Sequence, residues 1–155
     1  MRTNPSSQRL LAAVVLGHLI VNLVHGAAHS GAQIPVTLVA SLFIWIVILA
    51  GPLAGLWLSR SRPVAGGWIV AATMAGSLVF GLVNHFMIAS PDHVSHVAAE
   101  WRTLFAVTAV LLVLFEAAGV VAGVTSGRRA ARGLLESSAD RASQYGSSAK
   151  QLSRR

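Results

Sequence analysis

Six histidines and no cysteine make up the ligand vocabulary of this 155-residue chain, and all six fall between His18 and His96. Neutral imidazole is a ligand for Zn, Cu, Ni or Fe ions and an axial ligand for haem. Without a thiol, disulfides, iron–sulfur clusters and thiolate metal sites are excluded. His18, Asn22, His25 and His29 recur at offsets of four, seven and eleven. On a helix that spacing gathers them within roughly 60° as a single polar stripe on an otherwise apolar surface. A second group, His93, His96 and Glu100, has offsets of three and seven, which again share one helical face. Just before it, Ser90-Pro91-Asp92 reads as a helix start: a capping serine, a proline suited to the first turn and an acid that complements the helix dipole. The expected helix therefore begins near Pro91.

Membrane helices must position these residues. With 54% hydrophobic and 11% charged residues, a chain of this length cannot bury its apolar surface in one soluble core. Four apolar stretches, about 10–28, 35–58, 64–89 and 103–124, are each long enough to cross a hydrocarbon core of about 30 Å at 1.5 Å per residue. The expectation is an all-α, multi-pass cell-membrane protein. Residues 1–124 form an antiparallel four-helix bundle with short connections, and residues 125–155 a basic, flexible tail. Arg2, Arg9 and the small Ala27-Ala28 pair give the first stretch some character of a signal peptide, but His18 and Asn22 interrupt its apolar run, so it is expected to remain as a span. In the second span, Gly51-Pro52 is expected to kink the helix as a packing feature.

Arginine placement fixes an expected orientation. Arg2 and Arg9 precede the first span, Arg60 and Arg62 lie between the second and third, and Arg128, Arg129 and Arg132 follow the fourth; the other side carries only Arg102. Both termini are then cytoplasmic, and the histidines belong to the outward half. Trp57, Trp68 and Trp101 fall where indole rings sit at the water–lipid boundary. Trp45, at mid-helix, reads as a packing residue.

Depth along the helices pairs the candidates. With the outer boundary near His29, Ala89 and Arg102, His25 and His85 both lie about 6 Å inside it. A transition-metal site (Zn, Cu, Ni or Fe) is expected from His25, His29, His85, His93 and His96, with Glu100 as a further ligand and Asp92 as an auxiliary acid. Metal handling or electron transfer would be its use. The alternative cofactor is haem b, with His25 and His85 as axial ligands and Gly17, Gly26, Gly76 and Gly81 making room for the porphyrin edge. A third reading is a structural accessory subunit in which His and Asn only join helices, each bond worth about 0.6–2 kcal/mol. Deeper, His18 at about 16 Å and Glu116 at about 20 Å face each other as a buried proton-relay or packing pair.

Other functions lack their residues. His25-x3-His29 has Gly26 where a zinc protease needs glutamate, and no phosphate loop, nucleophile triad or dinucleotide fingerprint is present, so no catalytic residue is assigned and binding is favoured over enzymatic chemistry. The segment after Val124 carries seven basic and two acidic residues, which suits anionic lipid headgroups. Nucleic acid is not expected as a partner, since Tyr145 is the tail's one ring able to stack on a base. The expected partners are the lipid bilayer and a membrane-complex subunit or a second copy of the chain.

Overall fold

The computed structural model of the protein describes residues 5–152, and all regular structure among them is helical. Arg2, Arg154 and Arg155 lie outside the described residues. The four helices are α1 (Pro5–Gly31), α2 (Leu38–Leu58), α3 (Pro63–Met87) and α4 (Ala99–Leu152). Each contains a stretch long and apolar enough to cross a membrane.

Local chemistry sets the boundaries. α1 stops because Gln33 takes a left-handed conformation, φ 53°, which lets Gln33 N–H bond Ser30 O and Ile34 N–H bond His29 O. These two bonds are the pair that closes a Schellman turn. Thr37 caps α2 by accepting from Ala40 N–H at 3.2 Å. Within α2, Ile44–Ala50 is wound as a π-helix, with Gly51 N–H reaching back to Ile46 O. Pro52 follows at once; its ring has no N–H and would crowd the carbonyl four residues back, and the wider turn relieves that conflict. α3 starts with Pro63 in its first turn and also ends in a π stretch, Val83–Met87, closed by Ile88 N–H to Val83 O.

The expected helix start near Pro91 is not observed. Ser90 Oγ does accept from Asp92 N–H at 3.2 Å, but the segment then folds as successive turns. His93 N–H bonds Ser90 O, His96 N–H bonds His93 O, and Val94 N–H crosses to His85 O at 3.0 Å. Those donors are spent on turns and on α3, so the helical ladder begins only where Trp101 and Arg102 N–H groups share Ala98 O. Val97, 1% exposed, plugs the link into an apolar cluster with Ala28 and Phe105. Arg102 ties the same link down by donating through Nε and Nη2 to Val97 O.

The helices meet through small residues and matched apolar faces. A Cβ at Gly67 would stand 2.6 Å from the backbone N of Gly127, so α3 and α4 approach to backbone contact, as small residues permit in membranes. Gly17 faces the Phe115 ring and Gly76 faces Val47 and Phe43; these two glycines serve helix packing rather than a porphyrin edge. Leu11, Val15, Leu56, Val70, Met74 and Ala122 form one core cluster. At the same end of the molecule Gln8 and Ser59 bond reciprocally and Arg129 donates to Ser7. Trp45, expected to pack, is instead 67% exposed. Past Val124, α4 continues without interruption, so the described part of the basic segment extends the same helix.

Candidate metal centre

His25, His29 and His85 come together where α1 and α3 approach the start of α4. One ring nitrogen of each lies within 4.8 Å of the other two. The offset of four on α1 stacks His25 and His29 one turn apart, and the widened turn Val83–Met87 carries His85 to meet them. His25 and His85 are both buried, at 5% and 7% exposure. Phe105, fully buried, lies against all three rings at centroid distances of 4.6, 5.0 and 5.1 Å for His25, His29 and His85.

The outer hydrogen bonds decide which nitrogens are free. His25 Nδ1 is 2.8 Å from Thr108 Oγ1. The Thr108 hydroxyl also reaches its own helix, at Leu104 O (2.7 Å) and Phe105 O (3.0 Å), and we assign its single proton there. Toward His25 the hydroxyl therefore accepts, so His25 carries its proton on Nδ1 and a lone pair on Nε2. His85 Nδ1 faces the Asp92 backbone oxygen at 3.1 Å and Asp92 Oδ1 at 3.3 Å. Both are acceptors, which again puts the proton on Nδ1 and the lone pair on Nε2.

Those two lone-pair atoms, His25 Nε2 and His85 Nε2, are 3.3 Å apart. With the protons assigned in this way the two atoms are both acceptors, which repel unless a cation lies between them. Imidazole nitrogens bound to one tetrahedral ion at 2.0–2.1 Å would be about 3.3–3.4 Å apart. His29 completes the set: its Nε2 lies 3.1 Å from Asp92 Oδ1, while its Nδ1 is buried and makes no hydrogen bond. Asp92 thus stands behind two of the rings and Thr108 behind the third, the arrangement of outer partners that orients metal-binding histidines.

The other candidates are placed differently. His93 Nδ1 lies 2.7 Å from Ser95 Oγ, and His96 Nδ1 lies 2.8 Å from Ser90 O. The two rings are 5.4 Å apart at their centroids and are not part of the three-histidine cluster. Glu100 is exposed on the first turn of α4. Two turns inward, His18 Nε2 and Glu116 Oε1 are 3.3 Å apart, both groups buried. Glu116 Oε1 also accepts from the Ser77 hydroxyl, and Asn22 Nδ2 donates to His18 Nε2 at 2.8 Å.

Sequence reasoning did not single out Thr108, Ser77 or Phe105. A signal for the first existed, because Thr108 and Glu116 are the polar side chains between Leu104 and Val124. Phe105 gave none, since an apolar residue in a span is expected everywhere. Comparison with protein-family models, curated proteins and solved structures finds no match for this chain.

Proposed function

We propose that this is a multi-pass membrane protein that binds a transition-metal ion through His25, His29 and His85 near its outward face, and that it handles the ion rather than using it in catalysis. The carrying observation is the convergence of three imidazole rings, with His25 Nε2 and His85 Nε2 3.3 Å apart and Thr108 and Asp92 behind those two rings. Interhelical packing accounts for a single His–His bond but not for a third ring beside it whose Nδ1 is buried without a hydrogen bond. Three neutral imidazoles suit Zn, Cu, Ni or Fe and leave a fourth tetrahedral position open, as befits an ion that is received and released. Haem b is less well supported as the occupant. The His25 and His85 rings touch edge to face at 4.9 Å, whereas axial ligands must stand on opposite faces of a macrocycle.

An antiparallel bundle with cytoplasmic termini follows from the arginine distribution and the alternation of four spans. In that frame the three-histidine centre lies toward the outside. The test is metal analysis of the full chain purified without chelators, with equilibrium dialysis against Zn2+ and Co2+. One tightly bound ion per chain in the wild type, and loss of that tight binding in His25→Ala/His85→Ala, is expected. Unchanged binding in that double variant would overturn the site.

A further inference from the structure

The three helices that build the metal centre repeat their polar contribution two turns inward. On α1 the residues are His25 and then His18, on α3 His85 and then Ser77, on α4 Thr108 and then Glu116. Offsets of seven and eight residues separate the two layers by about 11–12 Å. We propose that Glu116 and His18, with Ser77 and Asn22, form a second, inner position for the same class of cation, a divalent transition metal taking nitrogen and oxygen ligands. This proposal rests on the outer centre being a metal site.

The hydrogen bonds of the inner layer leave it short of positive charge. Ser77 donates to Glu116 Oε1, and Asn22 gives its amide hydrogens to His18 Nε2 and His18 O. With those donors assigned, His18 Nε2 carries its lone pair within the inner layer, 3.3 Å from Glu116 Oε1, and a cation bound there takes the place of the Asn22 amide hydrogen. The second carboxylate oxygen, Oε2, is buried and has no hydrogen-bond partner, on a residue only 3% exposed. An acidic group at such depth calls for a cation.

Gly81 lies between the two layers, and apolar packing lies beneath them. Gly81 lies one turn from Ser77 and one turn from His85; a Cβ there would stand 3.9 Å from Glu116 Oε2 and 3.9 Å from His85 Cδ2, with nothing closer. Gly81 therefore stands within contact distance of both positions. One turn further in, Met74 packs on Gly119 and Phe115 on Gly17, and below them lies the apolar cluster that includes Leu11, Val15 and Val70. That packing closes the inner layer toward the Gln8–Ser59 end. Two divalent ions held in both layers would repel across a low-dielectric interior, so filling one position weakens binding at the other.

The chain's lack of cysteine gives a clean test. In the full-length protein, Glu116→Cys and His18→Cys each place one thiol in the inner layer, and Cd2+ alone is the probe. Each variant is expected to develop a sulfur-to-cadmium charge-transfer band saturating at one equivalent. Leu114→Cys, at a position 60% exposed on the same helix, should not. In addition, His25→Ala/His85→Ala should retain weak Cd2+ binding that added Glu116→Gln removes. Absence of the band from both inner variants, or residual binding indifferent to Glu116→Gln, overturns the inner position and means that Glu116 and His18 share only a proton. A wild-type chain that binds no Cd2+ at all fails earlier, and overturns the outer centre as well.

Discussion

His25 and His85 on one side, and His93 and His96 on the other, are two histidine pairs with opposite surroundings. In the first pair both rings are buried, each Nδ1 is held by an acceptor on another element, and the Nε2 atoms converge at 3.3 Å. In the second pair His96 is exposed and His93 partly so, and each ring satisfies itself within its own turn, on Ser95 or on Ser90. Residue type is the same throughout. On the proposed reading, what separates a ligand from a bystander is a fixed partner on the far nitrogen, which turns the near lone pair toward a common point.

The largest effects should come from the converging pair. His25→Ala or His85→Ala is expected to weaken Zn2+ binding by more than about 100-fold, beyond the range seen for outer partners, as read by competition with a chromogenic chelator. Asp92→Ala should follow with a loss of about 10–100-fold, since it removes the group behind both His29 and His85. Thr108→Val keeps shape but deletes the acceptor on His25, and a loss of about tenfold is expected, with Thr108→Ser restoring most of it. The smallest effect belongs to the bystanders: His93→Ala and His96→Ala should leave affinity unchanged. A comparable loss from His93→Ala and His25→Ala would erase the distinction between the two pairs. Acid should weaken binding in every variant that still binds, because imidazole must be unprotonated to ligate, so protons and metal compete.

Orientation can be sharpened separately. Single cysteines at Ser30 and Ser95, both exposed near the centre, should react with an impermeant thiol reagent from outside the cell, and one at Ser61 should not. The reverse pattern would put the metal centre on the cytoplasmic side.

The spans and the His25–His85 meeting were legible from a rise of 1.5 Å per residue, since both residues fall at one depth on neighbouring helices. The same arithmetic set His18 opposite Glu116. The chain between Ala89 and Ala98 was not legible. Ser90-Pro91-Asp92 satisfies the local rules for a helix start, but tertiary bonds from Val94 to His85 O and the burial of Val97 hold it in turns. That difference removed His93, His96 and Glu100 from a helical face and instead brought Asp92 over the α1 and α3 histidines. Periodicity also misses the π turns, which shift the phase of every side chain that follows them.

X-ray absorption of the Zn2+-loaded full-length protein addresses the central claim most directly, because it counts ligands without relying on activity. A three-imidazole centre predicts one zinc per chain with three histidine nitrogens at about 2.0–2.1 Å, and loss of that imidazole signature in His25→Ala/His85→Ala. An unchanged spectrum in the double variant, or a first shell without imidazole in the wild type, would contradict it.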